Sequence, residues 1–383
     1  MSALDLNLCA AIRSSIASLE KTLIRENALN SLVDSVNNHI PTIKPEQMTD
    51  NSKLRDETKD LVDGFLAYLC TNFIGTNTPN GYPQIPFVYS ASWNKVRFTK
   101  LKGLYVEEDR RGTVWSAKKL TLVEFARFVA VLSKASKLLY KNGYVTKRDF
   151  YYSEVKLFGS AGVCYKVLDT VSEILNIPVW RMHFLAGAKG YAAGSLSFKL
   201  NGEVVDFSNA IVDGYHISPL TFNATEWKSN AKFVLIVEKD AMFKRLLRDN
   251  ILEKLGPMIL VTGCGYPDFA TRIFLNLLWR EIQKPMFVIT DCNPHGAVIM
   301  SVYKYGTKNQ SSKYQNLTVP QIKWLGVHPT DLIKYKIKPQ YLQTLTNDDK
   351  KAYRTFKDVC EKYKEDAWLT QVILMLKISR RFK

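Results

Sequence analysis

The sequence predicts a mixed α/β protein whose C-terminal half is built on a largely parallel sheet and whose N-terminal half is mainly helical. Two observations lead to this. From Lys232 onward, apolar runs of strand length alternate with stretches of helical periodicity, the pattern of a parallel sheet with crossover helices. Before that point, apolar residues recur mostly every three to four positions, the spacing of one helix face.

Taken in order, residues 1 to about 45 carry heptad-like apolar spacing (Leu4, Leu8, Ile12, Ile16, Leu19, Leu23) and predict an amphipathic helix. Lys44 to Thr58 is polar and charged and reads as a linker; Gly75 to Gln84 is rich in Gly, Pro, Asn and Thr and reads as an irregular loop. Leu120 to Lys141 places Leu122, Phe125, Val129, Leu132 and Leu138 on one helix face, with Asn142-Gly143 as the stop. A second amphipathic run, Val163 to Leu175, ends at Asn176-Ile177-Pro178. Arg181 to Leu185 and Ser195 to Leu200 then read as short strands around the glycine-rich stretch Gly187 to Gly194. Helix, turn, helix and hairpin make a winged-helix pattern, in which Lys189 is placed to meet backbone phosphate; a purely structural hairpin remains the alternative. The resulting division is 1–60 as helical extension and linker, 61–225 as the winged-helix domain and 226–383 as the α/β domain with C-terminal helical elements.

Between the two amphipathic runs lies Thr146-Lys147-Arg148-Asp149-Phe150-Tyr151-Tyr152. Thr146 with Asp149 three positions on is a capping-box-like start, so Arg148 and Tyr152 fall four apart on one helix face. A phenol with a reference pKa of about 10 costs on the order of 4 kcal/mol to ionise at pH 7, so an adjacent guanidinium is useful to an attacking tyrosine. The same segment also fits an ordinary half-buried tyrosine beside core residues Phe150, Tyr151, Val155, Leu157 and Phe158.

In the C-terminal half the predicted order is strand Phe233–Val237, helix Ala241–Arg248, strand Met258–Val261, helix Phe269–Ile282, strand Met286–Ile289 and helix Gly296–Tyr303. Ligands of such sheets bind at the carboxyl ends of the strands. This chain puts Glu238, the loop Gly263 to Asp268, and Asp291-Cys292-Asn293-Pro294-His295-Gly296 there. Mg²⁺ takes one or two carboxylates with water and phosphate oxygens, so Glu238 and Asp291 form a minimal candidate site; the alternative is that each acid caps the helix that follows it.

The bulk composition narrows the partners. The 383 residues include 53 Lys and Arg against 36 Asp and Glu, a formal charge of +17, which favours a polyanion such as nucleic acid. No run reaches about 18 consecutive apolar residues, so membrane attachment is not expected. The N-terminus lacks the pattern of a signal peptide. Cysteines at 9, 70, 164, 264, 292 and 360 show no CxxC pairing, which argues against a zinc ribbon or a disulfide framework.

Glu238 followed by the acid-x-Asn-Pro-x-Gly turn at Asp291 resembles a Toprim domain, and Lys147-Arg148-Asp149-Phe150-Tyr151-Tyr152 followed by a wing resembles the CAP-like tyrosine domain of the DNA topoisomerase VI A subunit. The order of these motifs, over roughly residues 85 to 350, is similar to that of the type IIB family, and most of all to its eukaryotic meiotic members. The resemblance implies that Tyr152 is the nucleophile, Arg148 its electrostatic support, and Tyr151 packing. It implies Mg²⁺ at Glu238 and Asp291, with Asn293 occupying the family's third acidic position and contributing no charge. Lys147, Lys189, Lys239, Arg272 and His295 are then candidate DNA contacts, with turn packing the competing role for His295 and solvated surface that for Lys239 and Arg272.

The activity so implied is transesterification that leaves a 5′-phosphotyrosyl link and makes the double-strand breaks of meiotic recombination. The active unit would be a two-fold dimer on double-stranded DNA, in the nucleus and on chromosomes. The chain shows no Walker A sequence. Any ATP-hydrolysing function would therefore come from a topoisomerase VI B-like partner, which would work with accessory meiotic recombination proteins. Two other readings remain: a Toprim nuclease that uses water, and a catalytically silent DNA-binding subunit.

Overall fold

The computed structural model describes residues 51–74, 84–88, 96–99, 103–106, 112–116, 122–209, 213–307, 317–338, 340, 342–378 and 380–381. The amphipathic helix expected within residues 1–45 lies outside them. The chain forms two compact units, one of residues 1–91 and 108–186, the other of residues 92–107 and 187–383.

The elements up to residue 186 are α1 (Asn51–Ile74), β1 (Gln84–Val88), β2 (Val96–Thr99), β3 (Gly103–Val106), β4 (Gly112–Ser116), α2 (Leu122–Lys141), β5 (Val145–Thr146), α3 (Lys147–Ser153), α4 (Val155–Phe158), α5 (Ala161–Leu175) and β6 (Phe184–Leu185). The core of the first unit joins Val62, Phe65, Leu66 and Leu69 of α1 to Phe125, Val129 and Leu132 of α2 and Leu168 and Val171 of α5. Burying each such side chain contributes about 1.5–3 kcal/mol, so this helical packing dominates the local stability.

Two sequence expectations are corrected here. The polar run to Thr58 is not all linker, because α1 starts at Asn51 and a division at residue 60 cuts through it. Lys53, Asp56 and Glu57 lie on the outward face of that helix, while Thr58 is buried and receives a hydrogen bond from Arg181 at 3.0 Å. The expected hairpin of 181–185 with 195–200 does not form. Residues Val179–Met182 are a 3₁₀ turn, and β6 pairs in parallel with β5. Trp180, Met182, His183 and Phe184 are all buried, through a turn that ends at His183 with φ 66°.

The second unit adds β7 (Tyr191–Gly194), β8 (Ser197–Leu200), β9 (Glu203–Asp206), β10 (Tyr215–His216), β11 (Thr225–Lys228), β12 (Val234–Val237), α6 (Asp240–Arg248), α7 (Ile251–Lys254), β13 (Ile259–Thr262), α8 (Phe269–Ile282), β14 (Met286–Ile289), α9 (Pro294–Tyr305), β15 (Lys323–Gly326), α10 (Pro329–Lys334), β16 (Gln343–Thr344), α11 (Asn347–Tyr363), α12 (Asp366–Ile378) and β17 (Arg380–Arg381). A six-stranded sheet runs in the order β10-β7-β13-β12-β14-β15. Strands β13, β12, β14 and β15 are parallel, and β7 joins antiparallel with Ala193 opposite Leu260. The strand and helix assignments read from the sequence for 233–303 agree with these elements within two residues at each end.

Alternation along β12 sends Val234 and Ile236 into one core with Phe274, Leu278 and Met300, and Leu235 and Val237 into another with Phe243 and Leu247. The sheet is therefore covered on both faces, as parallel sheets require. Gly194 permits the close approach of β7, since a Cβ there would collide with the Met258 carbonyl and its φ is +110°. The strand-like run 195–200 finds its partners in β9 and β11. Phe98 of β2 belongs to this unit and packs edge-on against Tyr305 at 4.6 Å. The units divide after Ala186, so the strands between 191 and 228 go with the second unit, whereas the sequence division fell at 225. Among the described residues no helix is long and apolar enough to cross a membrane.

Candidate active site

In the first unit, α3 begins as its sequence dictates. Thr146 Oγ1 accepts from the Asp149 amide at 3.0 Å and its hydroxyl donates to the Asp149 carboxylate at 2.7 Å. One face of the helix is anchored by Phe150, 1% exposed, with ring contacts to Phe158 at 5.6 Å and Phe184 at 5.0 Å. The opposite face presents Tyr152, 56% exposed. Arg148 Nε donates to Tyr152 Oη at 3.1 Å, and its guanidinium carbon lies 5.6 Å from the ring centroid. This bond to the phenol holds Arg148 above its ordinary pKa. Tyr151 is half-buried and packs against the core, its ring 5.4 Å from that of Tyr152. The arrangement is an accessible phenol on a helix anchored by Phe150, with a cation on its oxygen.

Lys147, on the same helix, is 3.6 Å from Asp169 of α5, and its side chain is 18% exposed. That pairing fastens α3 to α5, which leaves the ammonium less available than a surface phosphate contact would need.

In the second unit the two candidate acids meet at neighbouring strand ends. Glu238 directly follows β12, Asp291 follows β14, and these strands pair in parallel with Val237 opposite Ile289. The Asp291 amide donates to Glu238 Oε2 at 2.8 Å. The backbone carbonyl of Glu238 accepts from Gly265 at 2.8 Å and from the Thr262 hydroxyl at 3.3 Å, which fixes the end of β12 against the 263–268 loop. Lys239 Nζ sits 2.9 Å from Asp291 Oδ2. Lys239 is thus brought to the acids themselves.

Asn293 is 5% exposed, and its Oδ1 accepts from the Gly296 amide at 2.8 Å. It is the N-cap of α9. Gly296 is required there because a Cβ would collide with the Asp291 carbonyl. As an expected metal ligand Asn293 therefore has one lone pair of its oxygen committed to the cap of α9. Among the described residues no three or more His, Cys, Asp or Glu groups gather as a metal site, so Glu238 and Asp291 stand here as a pair of carboxylates.

Arg272 is corrected by the structure. It is 4% exposed, its Nε donates to the Leu317 carbonyl at 3.1 Å, and burial lowers its pKa to about 10. Helix α8 turns this residue inward, so it cannot meet a phosphate at the surface. Lys189 is exposed and belongs to the second unit. Its amide donates to Asp268 Oδ2 at 2.6 Å and its ammonium to the Cys264 carbonyl at 3.2 Å. His295 Nδ1 is 3.1 Å from the Tyr266 hydroxyl and its Nε2 is 4.0 Å from Asp349, in a cleft also lined by Val298, Lys351 and Thr355.

Asp349 was missed as a neighbour of this site, and Tyr266, within the loop read at the strand ends, was given no role. Burial, and then the Glu238 charge, hold the Tyr266 phenol above its ordinary value. Tyr266 stands in the Gly-Tyr-Pro-Asp turn visible in the sequence, but Asp349 is 54 positions beyond His295 and only the fold brings it near.

This geometry accompanies a clear relationship to known proteins. Residues 233–383 match the family described as the topoisomerase 6 A subunit/Spo11, Toprim domain, and residues 123–184 match that described as type IIB DNA topoisomerase. The C-terminal region is therefore a Toprim domain, and the chain is homologous to type IIB topoisomerases. The chain is 34% identical over 309 residues to the human meiotic recombination protein SPO11, covering 79% of this chain and 76% of that protein. It is 37% identical over 272 residues to the A subunit of DNA topoisomerase 6 from Arabidopsis thaliana, covering 70% of this chain and 62% of that protein. Over 246 residues it is 34% identical to the A subunit of type 2 DNA topoisomerase 6 from Aeropyrum pernix, covering 58% of this chain and 62% of that protein. The chain belongs to the family of Spo11 and the topoisomerase 6 A subunit.

Proposed function

We propose that this chain makes the DNA double-strand breaks that initiate meiotic recombination, by transesterification through Tyr152. The observation that carries the reading is the exposed Tyr152 phenol with Arg148 Nε 3.1 Å from its oxygen. Attack by Tyr152 Oη on a backbone phosphorus forms a Tyr–O–P bond and breaks the P–O3′ bond; the 3′ oxygen leaves and takes a proton to become a hydroxyl. One phosphodiester replaces another, so the cut consumes neither water nor ATP. Arg148 favours the phenolate and the charge that develops on the phosphate.

Glu238 and Asp291 are the residues proposed to hold Mg²⁺. Two carboxylates suit an ion that keeps waters and completes its shell with phosphate oxygens. Bound there, it supplies neutralisation of charge on the reacting phosphate. The donor set supports a single ion, because Asn293 adds no charge and caps α9.

Cutting both strands takes two tyrosines, so the proposed active unit is a two-fold dimer in which the Tyr152 of each copy serves the acids of the other. DNA binding is assigned to the unit that carries Tyr152 and to Lys189, Lys239 and His295 of the other; a net charge of +17 favours such a partner. Accessory meiotic proteins and a topoisomerase VI B-like subunit are proposed as partners, with work done in the nucleus on chromosomes. The human and mouse relatives named as meiotic recombination proteins support this assignment.

The test is a covalent-adduct assay. Protein purified under denaturing conditions from cells in meiosis is trimmed with nuclease and any attached DNA end-labelled. Label on wild type and none on Tyr152→Phe supports the transesterase. Cutting that survives in Tyr152→Phe indicates a hydrolytic Toprim nuclease. Breaks that form without label on either protein indicate a catalytically silent DNA-binding role, the reading that Asn293 favours.

A further inference from the structure

The contact between Lys239 and Asp291 falls on the carboxylate that the proposed metal needs. Lys239 follows Glu238 in the chain and is the N-cap of α6, with extended backbone at φ −96°, ψ 137°. From there its side chain reaches across to the end of β14, where Nζ lies 2.9 Å from Asp291 Oδ2. Asp240, the acid that follows it in sequence, is already paired with Lys244 at 3.0 Å. Asp291 is 15% exposed and Lys239 is 40% exposed, so the acid is sheltered while the base retains access to solvent.

Charge counting gives the pair a meaning. Glu238 and Asp291 supply two negative charges, Asn293 supplies none, and the lysine neutralises one. A divalent cation entering this set must take Asp291 from the ammonium, or share it at a cost in repulsion between two cations at short range. Released from Asp291, the ammonium, on a side chain 40% exposed, would be free to meet a phosphate oxygen.

We propose that Lys239 is an exchangeable counter-cation: it holds Asp291 until a divalent metal binds, and on release its ammonium engages a DNA phosphate. The inference rests on the metal reading above. It adds regulation to that site, because metal loading and phosphate capture become linked through one side chain. The exchange balances in charge, with a divalent ion replacing an ammonium at Asp291 and the ammonium neutralising a phosphate.

The experiment titrates the full-length chain with Mn²⁺ and counts free ion by its paramagnetic resonance signal, comparing wild type with Lys239→Met and Lys239→Arg. The Met variant is expected to half-saturate at about threefold lower Mn²⁺, the size set by loss of a half-exposed ion pair. The Arg variant keeps the competing charge and is expected to stay near wild type. Lys239→Gln replaces the Met variant if that protein does not fold. Equal midpoints for Met and wild type, or an equal gain in the Met and Arg variants, overturn the counter-cation role while the metal site stands. If wild type shows no Mn²⁺ binding that Glu238→Gln with Asp291→Asn removes, the metal reading itself fails and takes this inference with it.

Discussion

The Glu238 carboxylate accepts a hydrogen bond from the Asp291 backbone amide at 2.8 Å, so the two candidate metal acids are held together by the protein before any ion is considered. One carboxylate is positioned by the other residue's main chain, not by its side chain. The consequence is that charge and structure at Glu238 separate experimentally.

Glu238→Gln keeps an acceptor for the Asp291 amide and loses the charge. We expect it to fold with stability within about 0.5 kcal/mol of wild type while losing covalent adduct. Glu238→Ala removes the acceptor and is expected to cost about 1 kcal/mol. Urea denaturation of both variants beside the adduct assay distinguishes these effects; a Gln variant that cuts DNA normally would remove Glu238 from the proposed site.

Arg148 and Tyr152 are both on the surface, so replacing Arg148 should disturb chemistry and leave the fold alone. Arg148→Ala is expected to lower adduct yield by about 10²-fold, the usual scale for loss of one electrostatic contributor, with an unchanged melting temperature. Arg148→Lys keeps a charge but lacks the planar guanidinium and should fall between the two. An Ala variant with wild-type adduct yield would show that the guanidinium does not assist the phenol.

Most of what could be read in advance was local. Thr146, Asp149 and the four-residue spacing of Arg148 and Tyr152 act within two helical turns, and the structure shows that cap and that contact. Runs such as Val234–Val237 are apolar throughout because both faces of their strands are covered, which makes them legible without partners. Pairing was less legible: nothing in residues 195–200 says that they bond to 203–206 and 225–228 and not to 181–185. Burial of polar residues was least legible. Arg272 looks like a surface base until the carbonyl of Leu317, 45 residues away, is seen to receive it. Asn293 reads as a ligand in a strand-end motif, but its position three before Gly296 also makes it a cap, and the helix takes that use.

Arg272 therefore makes a stability prediction where a binding one was expected. Arg272→Ala would leave the Leu317 carbonyl without this donor and open space beside Tyr303, at a cost of about 2–4 kcal/mol. Lys189→Ala, at an exposed site, should cost under about 1 kcal/mol and mainly weaken binding to a duplex, measured by salt-dependent titration. Wild-type stability in Arg272→Ala would contradict the buried role.

Phe150 tests the link from core to nucleophile. Its ring lies between Phe158 and Phe184, on the face of α3 opposite Tyr152. Phe150→Ala is expected to cost about 3–5 kcal/mol and to lose adduct formation although it touches no reacting atom. Phe150→Leu should recover most of the stability, and if the placement of α3 is what matters, adduct yield should recover in parallel.

His183 sets an acid limit on the first unit. It is 4% exposed, stacks on Tyr144 at 4.1 Å, and has Nδ1 2.8 Å from the Gly143 carbonyl. Burial, the largest influence, lowers its pKa from the ordinary 6.5; the bond to Gly143 opposes that and Arg55 adds to it. A base depressed on folding gives stability that is complete above the unfolded value. As pH falls below 6.5 the unfolded chain takes up a proton that the folded chain resists, so stability declines until the folded value is reached. Each pH unit of that window removes up to about 1.4 kcal/mol. His328, also lowered by burial and opposed by Asp331, acts in the same sense. His183→Asn accepts the left-handed backbone at φ 66° and carries no titrating group. It should be less stable than wild type at pH 7.5, where the Tyr144 stacking is lost, yet lose less on going to pH 5.5, with His328 contributing to the remaining slope. Urea midpoints at the two pH values check this, and identical pH slopes in the two proteins would mean that His183 titrates alike in the folded and unfolded chain.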